Sequence, residues 1–222
     1  MNLKLPERMA NEPREVMPLH LNAKFTSESE LKAKLDFIFS RSKKGASFNG
    51  IWEVAFNEVT ITTAIHNIKS NDGSYTPGID GWGIDRILQM DKEEVYRRVI
   101  RKASNYYPKP VRRVYIEKDN GKLRPLGIPT IWDRIIQECL RIVLEPIAEA
   151  KFYPHSYGFR PYRSTNDAIT ITLNTINGPA VKRYFHIIEG DIKSYFDNVN
   201  HRLLIKKLWK IGVKDKRVLS MI

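Results

Sequence analysis

The chain holds 222 residues, and its 37 Lys and Arg outnumber 25 Asp and Glu to give a formal charge of +12. That length allows one or two domains with a real core. The cationic excess points to a polyanionic partner, because neutralised phosphates release their counterions, although a merely soluble basic protein shares the composition. No apolar run approaches the roughly 20 residues of a membrane span. The first residues lack a signal-peptide core and include acidic Glu7, Glu12 and Glu15, against a transit peptide. A single cysteine, Cys139, excludes an intrachain disulfide and suits a reducing compartment.

Residues 1–24 are polar and punctuated by Pro6, Pro13 and Pro18, which predicts a loosely ordered arm. Ser27-Glu-Ser-Glu30 has capping-box spacing, and Leu31, Leu35 and Ile38 supply the apolar face of a helix running to about Ser40. Arg41-Ser-Lys-Lys-Gly45 reads as a basic loop; such loops are usually just solvated, but Lys43 and Lys44 could contact phosphates beside a nucleic-acid groove. A second helix is expected over Gly50–Ser70, with Trp52, Phe56, Val59, Thr63 and Ile65 at helical spacing. Thr76-Pro-Gly-Ile-Asp-Gly81 is a turn by its chemistry. Asp91 then caps a helix with Val95, Val99 and Ala103 inside and Arg97, Arg98, Arg101 and Lys102 on its other faces.

Residues 111–128 alternate as a β-hairpin around Asp119-Asn120-Gly121, where Asn-Gly tolerates positive φ. Taken alone this is an ordinary hairpin with basic edges. From Thr130 a helix is expected, carrying Ile135, Cys139, Leu140, Val143, Leu144 and Ile147, with Pro146 kinking or dividing it. Asp133 and Arg134 within it read as an ion pair rather than a site. The loop His155–Thr165 combines aromatics, arginines, Gly and Pro, suited to stacking bases and bridging phosphates, or equally to a loop pinned by buried rings. Ser164 or Thr165 caps a further helix with Ile169, Leu173 and Ile176 on one face. Tyr184–Ile192 reads as a strand broken at Gly190 and presenting Asp191 near its end. The turn Asp197–Asn200 follows, then a helix near His201 with Leu204, Leu208 and Ile211.

The wording of several segments is more specific than their architecture. Gly190-Asp-Ile-Lys-Ser-Tyr-Phe-Asp-Asn-Val-Asn-His201 resembles the first catalytic motif of reverse transcriptases, those encoded by group II introns in particular. Pro77-Gly-Ile-Asp-Gly81, Arg124-Pro-Leu-Gly-Ile-Pro129, Trp132-Asp-Arg134 with Gln137, and Ser156-Tyr-Gly-Phe-Arg-Pro161 followed by Arg163-Ser164 resemble further motifs of that family, in the right order. The likeness covers residues 76–212. It departs from the family at Tyr162, where Gly is usual, and at Asn166, where His is common.

The resemblance implies an α+β fold: helix-rich fingers with a β-hairpin, plus part of a right-hand polymerase palm. The implied division is an arm over 1–24, fingers over 25–130, and distal fingers with partial palm over 131–222. It implies that Asp191, with the backbone carbonyl of Ile192, holds Mg²⁺. By the same resemblance, Phe196, with Tyr195 beside it, is expected to pack against the incoming sugar and reject a 2′-hydroxyl, and Lys118, Arg124 and Arg112 are expected to bind the triphosphate. Gly158, Phe159, Arg160, Pro161 and Arg163, with Lys43 and Lys44 from the basic run, are expected to form the RNA and template surface. The implied partners are group II intron RNA, an RNA template with a DNA primer, and deoxynucleoside triphosphates, with no membrane, in a bacterial cytoplasm.

The family's second acidic cluster, a Tyr-Ala-Asp-Asp hairpin, belongs well after the first motif, and no Asp-Asp pair occurs in the chain. The expectation is a piece of a longer enzyme, truncated before the second catalytic motif, that binds RNA but is not catalytic alone. Its open palm edge is expected to self-associate as a homodimer. Two other readings are a non-catalytic RNA-binding maturase module and a retron or diversity-generating reverse transcriptase; the Ser-Tyr-Gly-Phe-Arg-Pro string disfavours the latter.

Overall fold

In the computed structural model, residues 17–117, 121–178 and 188–222 are described. The molecule is organised around one long helix, α6 (Ile131–Glu149). Thr130 starts it by accepting a hydrogen bond from the Asp133 N–H. A wide apolar stripe (Ile131, Ile135, Ile136, Cys139, Val143 and Ile147) then faces inward. Fully burying one such isoleucine stabilises the fold by about 1.5–3 kcal/mol. Pro146 does not divide this helix. It sits in the last turn, where the missing N–H deprives only the Ile142 carbonyl of its partner.

Four helices pack on α6: α1 (Glu28–Lys43), α2 (Ile51–Ala55), α3 (Glu58–Lys69) and α5 (Lys92–Ser104). The capping box of α1 forms as its sequence predicts, with Ser27 and Glu30 satisfying each other's amides. The helix runs past Ser40, however, so Arg41–Lys43 is its last turn rather than a loop. Buried Ser42 fixes that turn by donating to the Ile147 carbonyl of α6 at 3.1 Å. The single helix expected over Gly50–Ser70 is two. Asn57 breaks it by accepting from the Val59 N–H while its amide donates to the carbonyls of Ala23 and Phe25. A short helix α4 (Ile84–Leu88) precedes α5, which Asp91 caps as expected.

The end of the expected arm is part of the body. Residues Leu19–His20 (β1) pair in parallel with Phe48–Asn49 (β2), and Leu21 is buried. Val213 makes a parallel bridge to Phe48 from the other side, closed by Lys214 N–H donating to the Phe48 carbonyl at 2.9 Å. Glycine is required at both corners of this seam. Gly50 has φ 73° and a Cβ there would lie 2.4 Å from the Leu21 carbonyl oxygen, while Gly212 has φ 119° and a Cβ would lie 2.8 Å from that of Ala46.

The antiparallel hairpin of β3 (Arg112–Glu117) and β4 (Leu123–Ile128) leads directly into α6. Buried residues before and after residue 130 share one hydrophobic core. Beyond α6 come α7 (Thr165–Asn177), α8 (His201–Ile211) and α9 (Lys216–Leu219). Ser164 and Asp167 form the capping box of α7, but Ile169, Leu173 and Ile176 are exposed because no described element covers them. The strand expected over Tyr184–Ile192 lies partly outside the described residues. Its described part, 188–192, is irregular, because no described strand runs alongside to satisfy its backbone groups. The fold is thus helix-rich α+β; among the described residues it has two small sheets and no helix long and apolar enough to cross a membrane.

Candidate nucleic-acid interface

The register of the hairpin decides which of its cations act together. Arg112 pairs with Ile128 and Ile116 with Arg124, so Arg112 and Arg124 share one face while Arg113 and Tyr115 take the other. Arg124 is exposed, whereas Arg112 is half-buried and donates through Nε to the Pro77 carbonyl at 2.9 Å. Lys118, expected beside them, lies outside the described residues.

The base of the hairpin is sewn to the turn at 76–81. Arg134 donates to the carbonyls of Pro129, Gly73 and Thr76. Burial pushes its pKa down, against the charge of nearby Asp80. Asp133 accepts instead from Thr130 Oγ1 at 2.6 Å and from the Lys109 N–H at 3.3 Å. The expected ion pair between Asp133 and Arg134 does not form, because adjacent helical residues point about 100° apart. Burial and then the Asp133 charge push the Tyr106 hydroxyl up to about 12, so it stays a neutral part of this anchor.

A second group lies at the other end of α6. The bond from Ser42 to Ile147 brings the end of α1 there, with Lys43 and Lys44 exposed on it. The loop at 150–164 leaves from the same end. The 19 residues of α6 hold this group about 28 Å from the hairpin.

Within that loop, Arg160 is not the outward phosphate contact its sequence context suggests. It grips Glu149 with two nitrogens, donates through Nη1 to the carbonyls of Tyr153 and Ser156 at 2.7 and 2.8 Å, and covers the Phe152 ring. Its side chain is 6 % exposed. Arg163 donates to the Pro154 carbonyl at 3.0 Å and lies over Tyr157, while Gly158 and Pro161 are exposed. Phe159 and Tyr162 are fully exposed at 107 % and 102 %, with φ of 56° and 57°. Each left-handed non-glycine residue costs roughly 1 kcal/mol.

The third group is Asp191 with the turn after it. Asp191 is exposed and has no hydrogen-bond or ion-pair partner among the described residues. Asn198 closes the following turn by donating to the Ser194 carbonyl at 2.8 Å. Tyr195 and Phe196 meet edge to face at 5.4 Å, with Phe196 87 % exposed. A lone carboxylate and a neighbouring carbonyl are oxygen donors that fit a hard cation. They form only part of a coordination shell, and no cluster of three His, Cys, Asp or Glu suited to a metal exists among the described residues.

Reading the sequence missed Glu149, whose acidic position at the end of α6 was the available hint that Arg160 turns inward. It also missed Asp215, whose place just before α9 marks an N-cap. That buried carboxylate accepts from the Trp52 N–H at 3.0 Å and from Arg217, tying α9 to α2.

Comparison with known proteins bears on these groups together. Residues 116–222 match the family model described as reverse transcriptase (RNA-dependent DNA polymerase). The chain is 41 % identical over 156 residues to Protein YkfC of Escherichia coli, covering 69 % of this chain and 40 % of that protein. It is 43 % identical over 162 residues to the group II intron-encoded protein LtrA of Lactococcus lactis, covering 72 % of this chain and 25 % of that protein. A third relative is an uncharacterized 91 kDa protein in the cob intron of Schizosaccharomyces pombe, 35 % identical over 201 residues, covering 85 % of this chain and 23 % of that protein. The chain thus spans well under half the length of these relatives.

Proposed function

We propose that the protein carrying this chain is the RNA-directed DNA polymerase of a group II intron, which also binds intron RNA to assist splicing and mobility; the match of residues 116–222 to the reverse transcriptase family model supports this reading. The observation that carries this reading is that Asp191, exposed and without a partner among the described residues, precedes the Tyr195–Phe196 ring pair by four positions inside the matched segment. Asp191 and the Ile192 carbonyl would hold a divalent cation such as Mg²⁺, as two of its oxygen ligands. Bound there, divalent ions supply Lewis acidity at the primer terminus and the triphosphate. Phe196, a flat ring on a closed turn, meets the sugar of the incoming deoxynucleotide and rejects a 2′-hydroxyl by collision. Arg124 and Arg112, on one hairpin face, and Lys118 meet the triphosphate, whose roughly four negative charges need several cations. Lys43, Lys44 and the loop at 150–164 follow the RNA and template strand.

With Asp191 as the one candidate metal-binding carboxylate among the described residues, the 222 residues by themselves are assigned RNA binding rather than synthesis. The test is primer extension on an RNA template by a polymerase-competent protein carrying this chain. Asp191→Ala abolishes extension and leaves RNA affinity nearly unchanged, since it removes a metal ligand and no cation. Extension that survives the substitution refutes the assignment.

A further inference from the structure

We propose that Phe159 and Tyr162 form a two-ring platform on which unpaired bases of a single strand stack. The inference rests on the RNA-binding reading above and adds to it Tyr162, a residue that differs from the glycine usual at this position in the family. Both rings stand wholly in solvent, and both backbones are left-handed. A large ring that strains its backbone and gains no burial does nothing for the fold, so its use lies outside the fold. At Tyr162 glycine would adopt the same conformation freely.

The loop is built to hold the rings still. Arg160, between them in the chain, is locked to Glu149 and to the Tyr153 and Ser156 carbonyls. Arg163 is tied to Pro154, and the Ser164–Asp167 capping box fixes the exit into α7. Rings held in place before binding lose little freedom when a base stacks on them. Every base offers a π-face, so such a platform grips a strand without reading its sequence. The net charge of +12 favours a polyanionic strand as the occupant over an apolar protein surface.

The experiment compares binding of the whole 222-residue chain to a single-stranded RNA and to the same strand with abasic positions, across a range of salt. Phe159→Ala and Tyr162→Gly should each weaken binding to the intact strand by roughly tenfold, and hardly alter binding to the abasic one. The salt slope should stay constant, because no phosphate contact worth about 0.7 per charge is lost. Tyr162→Phe should bind as the parent does. Tyr162→Gly relieves a strained backbone, so its thermal midpoint should not fall, which separates a binding loss from a folding loss. Equal losses on both strands, a changed slope, or no loss at all overturns the platform while leaving RNA binding standing. A chain that binds neither strand overturns both.

Discussion

Asp215→Ala should detach the C-terminal segment from the body, and the size of the effect follows from what that one carboxylate holds. Gly50 begins α2 without a side chain, so the Trp52 N–H at that helix start has no local acceptor. Asp215 supplies one from 163 positions away, while also capping its own helix, α9, through the Arg217 N–H at 3.1 Å. Losing the α9 cap costs about 1 kcal/mol. Leaving the part-buried Trp52 N–H unpaired costs about 1–3 kcal/mol more. The ion pair to half-exposed Arg217 adds little. The expected loss is therefore about 2–4 kcal/mol, read as a lower urea midpoint at constant slope. Asp215→Asn should cost less, since its one oxygen can still accept one of the two N–H groups. Burial works against the Asp215 charge, but the Trp52 amide and Arg217 outweigh it and hold the pKa below the usual carboxylate value. The stability this contributes is present above the unfolded pKa near 4 and fades as pH falls through the folded one. The Asn variant should lack that acid-dependent component. An Ala variant within about 0.5 kcal/mol of the parent would refute the reasoning, because surface changes alone reach that size.

Gly50→Ala forces a Cβ against the Leu21 carbonyl at a left-handed backbone, so it should destabilise by about 2 kcal/mol or more; an unchanged melting temperature counts against the seam as drawn. Cys139 is fully buried and its thiol pKa is pushed far up by that burial, so a thiol reagent should label it only as the protein unfolds. Rapid stoichiometric labelling of the native chain would contradict its position in α6. In a polymerase-competent protein, Phe196→Ala should increase ribonucleotide incorporation, and Arg124→Ala should weaken use of the triphosphate by about 1.5–3 kcal/mol in kcat/KM. Unchanged sugar discrimination or an unchanged kcat/KM removes the respective residue from its role.

What the sequence made legible was local, and what it hid was mostly long-range. Ser27 with Glu30, and Asp91 before its helix, need only their own neighbours, and both caps form as the sequence predicts. Asn57 broke an expected helix because its amide reaches the carbonyls of Ala23 and Phe25, a contact no periodicity contains. Arg41–Lys43 stayed helical because Ser42 finds Ile147. Arg160 turned inward for Glu149, 11 positions earlier, although its own string suggests an outward cation. A strand is not a property of one segment, so residues 188–192 could look β-like and still lack a partner among the described residues. Motif wording singled out Asp191, Phe196 and Arg124 as candidates, and the structure leaves all three exposed. The distance between the hairpin and the Lys43–Lys44 end came only from the length of α6.

The seam where Phe48 receives Val213 also sets a clock on the protein's birth. Helices α1 to α6 can condense as they leave the ribosome, but the carboxylate that completes α2 is made 163 residues after the amide it serves. At about 5–20 residues per second, that interval is roughly ten to thirty seconds. During it, Leu21, Phe48 and Trp52 wait beside an unfilled groove, exposed to chaperones and proteases. A chain stalled or cut just short of Val213 would carry nearly all of the core residues and still be the form the cell removes first.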